Sequence, residues 1–320
     1  MPGTFGVPGI FTATLWERGN VACRRGQLIE GTTSMEQVII NGFVVGTTYA
    51  LIALGITIIF SIMNVVNFAH GQLYMIGGFV VYYAVAVFGL PFWTGLILSF
   101  VLVGAIGVLM ELFLFAPVIR KVKRDEVTML LAMGTAVLLE SVALLVFGEK
   151  QRGIPAITSG VLQIGDAYLP YSRIIVMAIA ALLIAALMLF IAKTRLGRAL
   201  RALAQDREAT ALQGVNLKWI SALGFGIGAG LAGLSGGLLM ALFAIHTGAG
   251  TAISVKAFIM IMIGGAGVLS GAILGGFVLG FMEAIAFALL PGSVTFLVIF
   301  ALVILFLIIR PNGIMGKPWG

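Results

Sequence analysis

Four polar residues, Asn64, Asn67, His70 and Gln72, interrupt an otherwise apolar stretch. At membrane depth such groups are costly unless they pair with one another or line a hydrated path, where they can exchange hydrogen bonds with a passing solute. Their spacing fits a hinge or the lining of a translocation path, and equally an interhelical turn on the cytoplasmic side. Four charged residues also fall within or beside apolar runs: Glu111, Glu140, Lys256 and Glu283. Each can snorkel or pair internally, and Glu111, near a segment end, fits that role best. Glu140 and Glu283 lie several residues from an end. Glu283, which follows a Gly-rich block, joins the four polar residues as a candidate for the path.

Catalytic chemistry finds little support. Cys23 is the single cysteine, which excludes an intrachain disulfide and a Cys-based metal cluster, and the two histidines, His70 and His246, lie far apart along the chain with no Cys or acidic ligand set beside His70, which argues against a metal there. Paired acids or a nucleophile with its base are also missing, which argues against a membrane-embedded enzyme and, for want of paired intramembrane acids, against an ion-coupled transporter. Leu234–Gly237 spells LSGG, the start of an ATPase signature, but inside an apolar helix. No G-x-x-x-x-G-K-[ST] occurs to cradle phosphate, and Gly316 and Lys317 are followed by Pro318. The sequence thus reads as neither an enzyme nor a cofactor protein, and any ATP energy must arrive from a partner.

The elements that carry these residues follow from composition. The chain is 61% hydrophobic and 10% charged, against about 25% charged in a soluble domain. A helix crosses the hydrocarbon core in about 20 residues, and continuous apolar runs of that order recur here, without the alternation of a β-barrel. They lie at 39–63, 71–88, 92–119, 127–147, 173–192, 219–246, 254–268, 271–289 and 294–309. The expected fold is an all-α polytopic membrane protein of seven to nine transmembrane helices. The breaks at 64–70 and 264–267 are candidates for one or two broken or re-entrant segments. The net charge of +7 is explained by basic clusters beside these runs, which fit anionic lipid better than nucleic acid.

Orientation follows from Arg120, Lys121, Lys123 and Arg124 in one loop and Lys193, Arg195, Arg198, Arg201 and Arg207 in another, both cytoplasmic by the positive-inside rule. The loop from Gly148 to Ser172 then falls outside, and the C-terminus inside. Residues 1–34 read as a disordered extension, with Met35 as a candidate start of translation, and residues 317–320 as a tail.

The loop from Lys193 to Lys218 is too polar for an idle connection. Arg195, Arg198 and Arg201 alternate with Leu196, Leu200 and Leu203 as on a short amphipathic helix. Asp206 then stands as an N-cap, Arg207 to Gln213 form about two turns, and Gly214 suits a left-handed terminator. This is a shape that a soluble partner can grip, although a solvated loop would look similar. Elsewhere, Ala222, Gly226, Gly230, Gly233 and Gly237 form a stripe at helical spacing, and Gly271 with Gly275 and Gly276 with Gly280 form GxxxG pairs. They indicate close helix packing, with a sliding surface as the functional alternative.

Five ordered blocks between residues 35 and 316 resemble the permeases of branched-chain amino acid ABC importers. They are GFVVGTTYALIALGITIIF from Gly42, NVVNFAHGQLYMIGG from Asn64, GRALRALAQDREATALQG from Gly197, Lys256 to Gly280 with its GGAGVLSGAILGGFVLG core, and RPNGIMG from Arg310. Glu208, Ala209 and Gly214 follow the E-A-A-x-x-x-G pattern of such permeases, with Thr210 in place of the second Ala. The resemblance implies an inner-membrane permease domain over 35–316 whose loop 193–218, with Arg198, Arg201, Asp206, Arg207, Glu208 and Gly214, docks an ATPase. It also implies a second related permease, two cytoplasmic ATP-binding subunits and an extracytoplasmic substrate-binding protein as partners. The implied cargo is a branched-chain or other small neutral amino acid, with urea, short amides or a sugar as the alternative.

Overall fold

The computed structural model describes residues 35–122 and 124–316, so the expectations for residues 1–34, Lys123 and residues 317–320 lie outside it. Twelve α-helices are described: α1 Met35–Met63, α2 His70–Tyr82, α3 Phe92–Met110, α4 Ala116–Lys121, α5 Asp125–Phe147, α6 Tyr171–Lys193, α7 Arg195–Gln205, α8 Arg207–Leu212, α9 Leu217–Met240, α10 Ala249–Gly264, α11 Leu269–Leu289 and α12 Gly292–Ile309. Single π-turns extend α2 through Tyr83–Val87 and α3 through Glu111–Phe115. Seven helical segments are long and apolar enough to cross a membrane, and Ala249–Gly264 and Val294–Ile309 are shorter apolar helices.

The centre of the bundle is α1 and α9, each 89% buried along its most apolar window, whereas α5 and α6 are 17% and 22% buried. Leu145, Leu182 and Ile308 are exposed on the outer helices, as lipid-facing side chains must be where no water competes for apolar surface. Small residues bring the inner helices together. A Cβ at Gly276 or Gly280 would strike the α1 backbone at Ala50 or Gly46, and Gly42 and Gly46 receive Phe281 and Phe277 of α11. On the other side Gly226 meets Gly104 and Val108 of α3, Gly230 meets Phe100, and Gly233 meets Val103 and Ser99. Gly237 receives Val81 and Leu96, while Gly271 and Gly275 abut the carbonyls of Gly264 and Met260. The predicted stripe is therefore a packing seam.

These contacts relate the two halves of the bundle. The hairpin α2–α3 lies along α9, and the hairpin α10–α11 lies along α1, with α1 and α9 antiparallel at Gly55–Gly228 and Ile62–Gly224. Such inverted arrangements with interrupted helices characterise transport folds.

Two interruptions define the interior. After α1, Asn64 adopts φ 56° and its N–H bonds the Phe60 carbonyl, ending the helix, and the chain turns back into the bundle. α2 therefore starts at His70 beside Gly55 and close to Gly228, midway along α9. The second interruption is residues 241–248, within what reads as one apolar run from 219 to 246. α9 stops at Met240, Ile245 pairs with Arg152, and α10 starts beside Gly71 and Gln72. The glycines at 264–267 instead form the tight α10–α11 turn. Ile314 and Met315 donate to the carbonyls of Ile263 and Gly264, folding the RPNGIMG ending onto it.

At one end of the bundle an antiparallel hairpin, β1 Val161–Ile164 and β2 Ala167–Pro170, covers the start of α1, with Asp166 N–H donating to Glu36 and Tyr168 N–H to Gln37. The helices α7 and α8 lie at the other end, where Leu200 and Ile62 meet over Gly224.

Candidate functional site

Three groups of residues carry chemistry. The first is the crossing of α2 and α10. Asn67 builds the start of α2: its Oδ1 accepts from Ala69 N–H at 3.0 Å and its carbonyl from His70 N–H at 3.1 Å. Asn67, His70 and Gln72 are each 0% exposed, so this is interior structure and not a solvated turn. Gln72 Nε2 donates to Glu140 Oε2 at 3.0 Å and to Thr251 Oγ1 at 3.1 Å, and Thr251 donates to the same carboxylate oxygen at 2.7 Å. Asn67 Nδ2 and Gln72 Oε1 meet no protein partner among the described residues. The His70 imidazole approaches the Ile52 backbone without a hydrogen bond of full geometry. Asn64 stands apart, exposed at the end of α1.

Glu283 belongs to a second group, which shares α10 with that crossing through Lys256. Its Oε1 lies 2.7 Å from Lys256 Nζ, and its Oε2 accepts from Tyr49 Oη at 2.6 Å. Lys256 Nζ also donates to Tyr49 Oη at 2.7 Å. The three helices α1, α10 and α11 each supply one member. This triad lines a cavity of about 500 Å³ that is otherwise mainly apolar and includes Leu239, Phe243 and Ile253. Asn41 and Arg173, joined at 2.7 Å, line the same cavity near the hairpin end of the bundle.

The third group is the polar loop. Thr194 caps α7 by accepting from Gly197 N–H, and Asp206 Oδ1 caps α8 by accepting from Ala209 N–H at 2.9 Å. Gly214 takes φ 78° just beyond α8. Arg198 and Arg201 donate to the Lys193 and Ala192 carbonyls at the end of α6, as cationic groups at a helix C-terminus do. Arg207 reaches the Ile62 carbonyl at 3.5 Å. Glu208 and Leu212 stand exposed, Leu212 at 87%.

Sequence reasoning missed Tyr49 and Ser254, and it did not pair Lys256 with Glu283 or Gln72 with Glu140. The unusual position of each charge was the available signal; the partners lie 27 and 68 residues away. Among the described residues no cluster of His, Cys, Asp and Glu could hold a metal.

A broken-helix bundle with a polar crossing and a capped loop suits a transport subunit, and comparison with known proteins identifies which kind. Residues 38–308 match the family described as the permease component of the branched-chain amino acid transport system. The chain belongs to this family. It is similar to the high-affinity branched-chain amino acid transport system permease BraD of Pseudomonas aeruginosa, 36% identical over 296 residues, which is 88% of this chain and 96% of its relative. Escherichia coli LivH, of the same description, is 34% identical over the same shares of the two chains. The probable permease LivH of Methanocaldococcus jannaschii is 27% identical, covering 89% and 94%. No solved structure matches significantly. The family members are permease subunits rather than enzymes, and this member is a multi-pass α-helical membrane protein.

Proposed function

We propose that this chain forms one half of the pore of an ATP-driven importer in the cytoplasmic (inner) membrane and carries branched-chain or other small neutral amino acids. The observation that carries the reading is the match to branched-chain amino acid permeases along nearly the whole of both chains. A second related permease completes the pore, two cytoplasmic ATP-binding subunits grip α7 and α8, and an extracytoplasmic binding protein delivers the cargo at the hairpin end. Two features support this division of labour: the paired Arg and Leu pattern of α7, and the exposed tip of α8 with Glu208 and Leu212.

In this mechanism the ATPases move α7 and α8, and Arg207 and Leu200 pass the displacement to the end of α1 and to α9. The helices pinned at the α2–α10 crossing then rock, and access switches between ends. Only an ATPase state that binds the two arrangements differently can drive such a switch. The polar groups of Asn67, His70 and Gln72 line the middle of the path, and the cavity with Glu283 its outer part.

The test is uptake of labelled leucine, isoleucine and valine by cells lacking this gene, with and without a restored copy, together with the proteins that co-purify with the chain. Uptake that depends on the gene, with two P-loop ATPases and a second permease recovered, is the expected result. Unaltered uptake, or solute movement by the isolated chain in liposomes without ATP, overturns the reading.

A further inference from the structure

The cavity beside Tyr49 contains more chemistry than a passive pore wall requires. Lys256 and Glu283 are largely withdrawn from solvent, with side chains 20% and 11% exposed, and taking two opposite charges out of water carries a large desolvation penalty. Their own contacts leave each incompletely used. The ammonium has three hydrogens, of which Glu283 and Tyr49 take two, and the Tyr49 and Phe296 rings flank it at 5.3 and 5.4 Å from their centroids. Each Glu283 oxygen accepts a single hydrogen bond among the described residues, so each retains a lone pair. A cationic donor and an anionic acceptor thus stand side by side at the wall of a cavity whose volume lies within the range of about 300–1,000 Å³ typical of small-molecule sites.

The geometry points to a binding site for the zwitterionic head of a neutral α-amino acid within this subunit. Lys256 takes the ligand carboxylate, Glu283 takes its α-ammonium, and Tyr49 holds the two side chains at the right separation. Leu239, Phe243 and Ile253 receive an aliphatic side chain and offer no partner to a polar one. Arg173 and Asn41, close to the hairpin end, give the carboxylate a first contact before it reaches Lys256. The subunit itself then discriminates among solutes, in addition to any partner that delivers them. This inference rests on the reading of the chain as an amino acid permease.

The first test needs no variant. The assembled complex in lipid nanodiscs, without its binding protein, is titrated with labelled leucine up to millimolar concentration. Saturable binding is expected, displaced by valine but not by isocaproate, which lacks the ammonium, nor by isopentylamine, which lacks the carboxylate. Absence of saturable binding, or equal displacement by either single-charge analogue, overturns the site.

The second test compares Lys256→Met, Glu283→Gln and the double variant in complexes whose assembly is verified by size exclusion. A pair that only ties helices together tolerates removal of both partners better than removal of one. A binding pair does not, so all three variants are expected to raise the KM for leucine uptake more than about tenfold, a loss on the scale of one charged contact. A double variant that transports like the wild type overturns the proposal while leaving the importer reading intact. A wild-type complex that moves no amino acid overturns the importer reading instead.

Discussion

The backbone N–H of Gly71 donates to Ser254 Oγ at 3.1 Å, and the same hydroxyl donates to the Phe68 carbonyl at 2.7 Å. One side chain of α10 thereby satisfies both a free donor at the first turn of α2 and an acceptor in the irregular segment before it. Interrupting a helix inside a membrane leaves backbone groups that water cannot reach, so something in the protein must bond them. Ser254→Ala leaves both groups without that partner at a cost of about 1–3 kcal/mol for each. Thermal unfolding of the purified protein is expected to shift clearly downward for Ser254→Ala and less for Ser254→Thr, which keeps the hydroxyl.

The packing seam makes a second, contrasting prediction. A Cβ at Gly77 would fall on the Gly233 backbone, and one at Gly236 would fall on the Tyr74 carbonyl, both rigid obstacles. Gly134 on α5 faces open space. Gly77→Ala and Gly236→Ala are therefore expected to lose folded protein, since overpacking costs about 1–3 kcal/mol or more where backbone must move. Gly134→Ala is expected to stay within about 1 kcal/mol of the wild type. Yield of monodisperse protein after detergent extraction separates the two outcomes.

How much of this was legible beforehand differs from residue to residue. The outer helices are long apolar runs, and hydropathy reads them directly. The interruption at Asn64 is visible because polar residues mark it, whereas the one at 241–248 is hidden: Ala241, Leu242, Phe243, Ala244 and Ile245 continue the apolar run, although the helix has already given way to a turn and Ile245 pairs with the distant Arg152. Glycine spacing announced the seam without saying which helix it meets. The caps at Asp206 and Gly214 are local chemistry and could be read from a few residues. Tyr49, Lys256 and Glu283 could not be joined, because Tyr49 on α1 and Lys256 on α10 stand 207 positions apart in the sequence and only the folded bundle makes them neighbours.

Glu140 offers a third test. It accepts from both Gln72 and Thr251, linking α5 to the two broken helices at their crossing. Glu140→Ala removes a shared acceptor and Gln72→Ala removes one of its donors. The two substitutions touch one network, so their effects on uptake are expected to be non-additive, the double variant losing little more than Glu140→Ala alone. Fully additive losses would show that the network does not act as a unit.

The last prediction concerns the far end of the bundle. α8 has six residues, too few to persist by propensity alone, and it holds its shape through the Asp206 cap and the Thr210 hydroxyl bonded to the Asp206 carbonyl at 2.6 Å. Thr210 is 4% exposed, so replacing the alanine of the E-A-A pattern adds an internal bond and leaves the outward face unaltered. That face is Glu208 and Leu212, and a partner that grips α8 must meet them. Glu208→Lys and Leu212→Asp alter only exposed groups and are expected to leave the thermal stability of the isolated subunit unchanged, while co-purification of the ATPase and uptake fall more than about tenfold, as for central interface residues. Asp206→Ala should act differently: loss of a cap costs about 0.5–2 kcal/mol locally and weakens the same association by loosening α8 rather than by removing a contact. If Glu208→Lys and Leu212→Asp both retain the ATPase, the docking surface lies elsewhere. The bond from Arg207 to Ile62 would then tie the loop to α1 without transmitting force.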